Sequence, residues 1–222
     1  FYVSESTIIV AKTQHTTHIG IYGGSFNPIH TGHIALARTL LRLTSLDEIW
    51  FMVSPLNPFK RATEDLLADK LRLKLTQLAL EGEPRLVASD FEFGLSKPSY
   101  TYDTLRKLTE TYPQNHFTLI MGADNWLAFD RWKDHEKILR DYPIIVYPRH
   151  NSTVDAAALP PGVTLIDTPL YDFNSTVIRQ RVADGRSIHG LVKPEIEELT
   201  REYYQNMAQH GDNDINMPKK DM

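Results

Sequence analysis

Two histidines three residues apart, His30 and His33, follow a glycine pair, Gly23-Gly24, in the segment Gly-Ile-Tyr-Gly-Gly-Ser-Phe-Asn-Pro-Ile-His-Thr-Gly-His at 20–33. An apolar run with Ile19 and Ile21 leads into the glycines, and an amphipathic stretch, Ile34 to Leu43, follows the histidines. A strand, a glycine turn and a helix start make a site for anionic phosphate, because backbone N–H groups and the positive end of the helix dipole point at the ligand. Glycine lets the backbone approach where a Cβ would collide. The three-residue spacing puts both imidazoles on one side of the first helical turn. A zinc site would need third and fourth ligands, and the chain has no cysteine to supply them. Neither a P-loop nor a Gly-x-Gly-x-x-Gly dinucleotide fingerprint is present.

Other polar groups follow apolar runs or open helical stretches. Lys60 closes Ser54-Pro-Leu-Asn-Pro-Phe-Lys, Asp124 follows Gly122-Ala123, and Arg149 follows the apolar run 144–147. Ser99-Tyr100-Thr101 opens one helical stretch and Asn174-Ser175-Thr176 opens another, with Arg179 one turn on. Small polar residues cap helix starts, and an arginine there offers a bidentate cation for phosphate.

The elements that must hold these groups alternate between strand and helix. Strands are expected at 19–22, 48–53, 86–93, 117–121, 144–147 and 163–167. Helices are expected at 32–44, 63–81, 99–112, 135–141, 174–182 and 195–206. The run Glu48–Val53 is nearly all apolar, as a strand buried on both faces requires. Such alternation predicts an α/β fold, a Rossmann-like doubly wound parallel sheet with a small helical C-terminal part. Ligands sit beyond the carboxyl ends of such strands, where strand order reverses. The glycine pair, the Ser54–Lys60 segment, Gly122–Asp124 and Arg149 all follow strands in that sense. We expect an N-terminal extension at 1–17, one domain at 18–210 and a polar tail at 211–222.

The 222 residues carry a net charge of −4, and 41% are hydrophobic, enough for one real core. Mild acidity excludes a nucleic-acid binder that works by charge alone. No apolar run approaches the roughly 18 residues that span a bilayer, and the start lacks a signal-peptide pattern. With no cysteine, the expectation is a cytoplasmic enzyme with no nucleic-acid or membrane partner.

Residues 23–33 resemble the His-x-Gly-His box of a nucleotidyltransferase superfamily, and are most similar to its pyridine-nucleotide adenylyltransferases. Asn27 stands where the common bacterial box has Asp; Asn is familiar in nicotinamide-type relatives. Phe59 stands where many bacterial members have His. The segment Phe173–Arg179 is similar to the family's Ile-Ser-x-Thr-x-x-Arg signature, with Thr176 and Arg179 matching, and Asn174 and Phe173 departing from it. Gly122-Ala-Asp124 with Trp132 resembles its Gly-x-Asp…Trp element. Ser99-Tyr100-Thr101-x-x-Thr104-Leu105 resembles an element of the bacterial nicotinate-nucleotide enzymes. The five elements fall in family order over about residues 18–205.

The resemblance implies a nicotinate-nucleotide adenylyltransferase that joins ATP and nicotinate mononucleotide in NAD biosynthesis. Mg²⁺ would be held mainly by the ATP phosphates rather than by protein ligands. It implies His33, His30 and Lys60 as catalytic. Gly23, Gly24, Ser25, Phe26, His30, His33, Asp124, Asn174, Thr176 and Arg179 would bind ATP. Tyr100, Thr101 and Trp132 would bind the mononucleotide. Helix N–H groups at Ser-Tyr-Thr suit a carboxylate, which favours nicotinate over nicotinamide. The rivals are a nicotinamide-specific or dual-specificity enzyme, favoured by Asn27, a phosphopantetheine-type nucleotidyltransferase, and a non-catalytic nucleotide binder on the same fold. A homo-oligomer stays open.

Overall fold

The computed structural model describes residues 16–55, 66–171 and 174–210. Its strands are β1 (His18–Gly24), β2 (Glu48–Val53), β3 (Leu86–Ser89), β4 (His116–Gly122), β5 (Ile144–Tyr147) and β6 (Val163–Leu165). Its helices are α1 (Thr31–Leu43), α2 (Asp69–Ala79), α3 (Thr101–Thr111), α4 (Ala123–Trp126), α5 (His135–Asp141), α6 (Ser175–Ala183) and α7 (Pro194–His210). Short 3₁₀ turns lie at Phe91–Gly94, Phe129–Arg131 and Ala156–Ala158.

The strands form one parallel sheet in the order β3-β2-β1-β4-β5-β6. After β3 the chain returns to the other side of β1, so order reverses between β1 and β4. The carboxyl ends of those two strands frame a crevice. Alternation along β1 sends Ile19 and Ile21 to one face of the sheet and Tyr22 to the other. One core joins Tyr22, Phe51, Leu40, Leu75, Ile178 and Tyr204; the opposite core joins Ile21, Met52, Leu105, Leu119, Ile138 and Val146. Gly20 is required between them, since a Cβ there would sit 2.6 Å from Ile120 Cδ1 and 2.8 Å from Leu46 Cδ1.

Two expected elements are corrected. The strand expected to run through Phe93 ends at Ser89. The Ser89 hydroxyl accepts from Phe91 N–H at 3.3 Å and starts a 3₁₀ turn that carries Glu92 inward. The helix expected from Thr63 begins at Asp69, and residues 66–68 are not helical. There Leu67 is buried and its N–H is taken by the side chain of Asn27. Lys60, Phe59 and Phe173, most of the N-terminal extension and the tail lie outside the described residues. Among the described residues, no helix is long and apolar enough to cross a membrane.

Candidate active site

The histidines cap α1 reciprocally. His30 is the N-cap, and its Nδ1 accepts from His33 N–H at 3.3 Å. His33 Nδ1 in turn accepts from His30 N–H at 3.2 Å. The rings stack 3.5 Å apart. An Nδ1 that accepts a backbone N–H carries no proton, so each neutral ring has its N–H on Nε2. Burial pushes the His30 imidazole down to about 3, and the charge of Arg149 adds to this. Burial, then His30, then Arg149 hold His33 well below the usual histidine range. The pair is therefore two neutral N–H donors at neutral pH.

Below them lies Phe26, which adopts a left-handed φ of +43°. Its ring is buried against His33, Tyr22 and Phe51. Phe26 is 3% exposed and lines neither of the two spaces described below. Gly24 has no Cβ because the Phe26 ring lies 3.1 Å from where one would be.

Asn27 corrects the sequence reading in another way. Its side chain is buried, and Oδ1 accepts from Leu67 N–H at 3.1 Å and from the Tyr204 hydroxyl at 2.6 Å. It joins α7 to the loop before α2 and does not line the cavity at the end of the sheet. The residue that suggested amide specificity is thus part of the framework.

The C-terminal elements close over the same loop. Asn174 caps α6 by accepting from Val177 N–H at 2.8 Å. Ser175 donates to Pro28 O at 2.8 Å, and Arg179 donates to Asn27 O at 2.9 Å and Thr176 Oγ1 at 3.4 Å. Thr31 donates through its hydroxyl to Gly190 O and Leu191 O. On the far side Asp124 is exposed, with Oδ1 3.5 Å from Arg149 Nε.

A cavity of about 480 Å³ opens at the reversal point. It is lined by Gly23, Gly24, Tyr100, Thr101 and Trp132, all singled out by sequence, and by Glu92 and Lys133, which were not. A recess beside it is lined by His30, His33, Arg149 and Tyr171. Tyr22 and Tyr147 line both, so the two spaces are neighbours. Tyr100 stands at the N-cap of α3, and no side chain caps that helix. Its first N–H groups, unclaimed by a cap, carry the positive end of the dipole. Lys133 lies 4.1 Å from the Tyr100 ring centroid.

Besides Lys133, two residues escaped the sequence reading. Arg72 is wholly buried on α2: it donates to Leu67 O at 2.7 Å, Ser54 O at 3.0 Å and Ser25 O, and pairs with Asp69 at 2.6 Å. It ties the glycine loop to the end of β2. Along Asp-Lys-Leu-Arg-Leu-Lys nothing in the sequence sets it apart from the neighbouring lysines. Glu92 falls inside the strand expected at 86–93, between Phe91 and Phe93.

A cytidylyltransferase-like family model matches residues 21–181. A Bacteroides fragilis protein named a probable nicotinate-nucleotide adenylyltransferase is 51% identical over 180 residues, 81% of this chain and 89% of that one. A Bacteroides thetaiotaomicron protein of the same name is 48% identical over 184 residues, 83% of this chain and 91% of that one. Among solved structures, the Plasmodium falciparum nicotinic acid mononucleotide adenylyltransferase complexed with NaAD matches with a TM-score of 0.70. It is 22% identical, covering 86% of this chain and 95% of that one, and carries the fold.

Proposed function

The chain belongs to the cytidylyltransferase-like family and within it to the nicotinate-nucleotide adenylyltransferases, and from that premise we propose how its residues divide the work. The reaction transfers the adenylyl group of ATP to nicotinate mononucleotide, giving nicotinate adenine dinucleotide and pyrophosphate. A phosphate oxygen of the mononucleotide attacks the α-phosphorus in line. The bond from that phosphorus to the bridging oxygen breaks, and pyrophosphate leaves. Such a step needs positioning and charge stabilisation more than covalent help.

The recess holds the triphosphate. His33 and His30 present Nε2–H donors to it, and the Gly23–Phe26 backbone and the start of α1 add N–H groups. Arg179 and Arg149 supply positive charge; Arg179 is held by Thr176 and the Asn27 carbonyl. Asn174 acts through the α6 N-terminus it caps, and Asp124 accepts from ribose hydroxyls. Lys60 completes the phosphate contacts in this reading. Among the described residues no three His, Cys, Asp or Glu side chains gather at a point. In this reading a magnesium ion would arrive with the ATP phosphates and would supply charge neutralisation there. We place the enzyme in the cytoplasm.

The mononucleotide takes the larger cavity. Trp132 stacks on the pyridine ring, and the N–H groups of Tyr100 and Thr101 receive the nicotinate carboxylate. The uncapped α3 N-terminus on the cavity wall is the observation that carries this choice. The test is pyrophosphate release with nicotinate and nicotinamide mononucleotides side by side. Strong preference for the acid is expected, and equal rates would remove the α3 N-terminus as the discriminating element.

A further inference from the structure

Glu92 is a buried acid on the wall of the mononucleotide cavity, and the reaction as described gives it no task. Its partners are hydroxyls. Thr104 Oγ1 donates to Glu92 Oε1 at 2.9 Å, and the hydroxyls of Ser54 and Ser99 lie near the same carboxyl. These three residues line the cavity too. They come from the end of β2, the segment before α3 and α3 itself, so the carboxyl joins three elements at one spot. Among the described residues no cation is paired with it. Burial raises its affinity for a proton and the three hydroxyls oppose that.

A carboxylate taken out of water without a counter-ion is costly, and the usual remedies are a cation or a proton. Here the remedy can arrive with the substrate. The ring of a pyridine mononucleotide is bonded to ribose through nitrogen and bears a formal positive charge. It enters the cavity that Glu92 lines. Lys133 does not serve instead, because it lies over Tyr100 and 3.6 Å from Asp103. The Thr104 hydroxyl, bonded to Oε1, holds the carboxyl in place.

We propose that Glu92 is the counter-charge for the pyridinium ring of the mononucleotide, a specificity residue that selects a charged ring over a neutral one of the same shape. The inference rests on nicotinate mononucleotide being the acceptor. Trp132 also favours an electron-poor ring, so a test must separate the two contributions.

The experiment compares two acceptors with ATP and Mg²⁺. One is nicotinate mononucleotide. The other is the 3-carboxyphenyl C-riboside 5′-phosphate, in which carbon replaces the ring nitrogen and the charge is gone. Wild-type enzyme should prefer the cationic ring by tenfold or more in kcat/KM. In Glu92→Gln the kcat/KM for nicotinate mononucleotide should fall at least tenfold, about 1.4 kcal/mol. The value for the neutral ring should stay within threefold, so the preference collapses. A parallel fall with both acceptors would make Glu92 a framework residue and overturn the proposal. An unchanged preference would assign it to Trp132, and a rise with the cationic ring would mean that repulsion of the nicotinate carboxylate dominates; either also overturns it. Equal wild-type rates overturn it whether or not the variant folds. Absence of turnover with nicotinate mononucleotide in the wild type would instead count against the acceptor assignment.

Discussion

Replacing Asn27 with alanine separates framework from substrate recognition. The change strands two buried donors, Leu67 N–H and the Tyr204 hydroxyl, which now reach Oδ1 at 3.1 and 2.6 Å. A buried donor left unmet costs about 1–3 kcal/mol, so the pair should cost about 2–6 kcal/mol. At about 2–4 °C per kcal/mol for a chain of this size, the unfolding midpoint should fall by about 4–24 °C. The assay is thermal unfolding by circular dichroism, with acid and amide kcat/KM measured at 20 °C below the variant's midpoint. The acid-to-amide ratio should stay within threefold of wild type. A cycle with Tyr204→Phe isolates the bond between α7 and the loop. Alanine at 27 should be less costly once the hydroxyl is gone, with a coupling of about 1 kcal/mol. A midpoint within 2 °C of wild type would mean that these bonds carry no load. A moved ratio would return Asn27 to the substrate site.

Three further outcomes can be checked. His33→Ala should lower kcat by about 10²–10³, the loss of one preorganised donor to transition-state charge, while ATP still binds by calorimetry; undiminished turnover removes His33 from the chemistry. His30 is held down to about 3 in the fold but titrates near 6.5 when unfolded. The unfolded chain therefore takes up the proton first. Stability is full above about pH 6.5 and falls below it by about 1.4 kcal/mol per pH unit for each such histidine. Unfolding midpoints from pH 8 to 5 read this, and a flat profile refutes it. Gly20→Ala puts a methyl 2.6 Å from Ile120 Cδ1 and 2.8 Å from Leu46 Cδ1; overpacking should cost about 1–3 kcal/mol, read as a lower denaturation midpoint in urea with kcat little changed.

The sheet was legible because its strands are long apolar runs bounded by glycine, proline and polar turns. Glu48–Val53 was placed to the residue, since a central parallel strand must be apolar on both faces. The histidine pair, the glycines and the Ser-Tyr-Thr start were legible because their chemistry is local to one turn. What the chain hid depends on distant partners. Arg72 and Lys70 look alike along the helix, yet Arg72 is buried by carbonyls from Ser25, Ser54 and Leu67. Asn27 carries no mark of its bond to Tyr204. Glu92 fits a strand's alternation, and only the Ser89 turn, which ends β3 early, sends it into the cavity.

The bonds that hold the nucleotide loop have a bearing on synthesis. Pro28 O, Asn27 O and Oδ1, and Thr31 meet Ser175, Arg179, Tyr204, Gly190 and Leu191, across 147 to 177 residues of chain. The residues in the first turn of α1 are translated first; their fastenings follow more than a hundred residues later. A nascent chain that has built β1 to β6 still lacks them, so the site is completed only as α6 and α7 emerge from the ribosome. The helices α6 and α7 thus set the moment at which the loop becomes fixed.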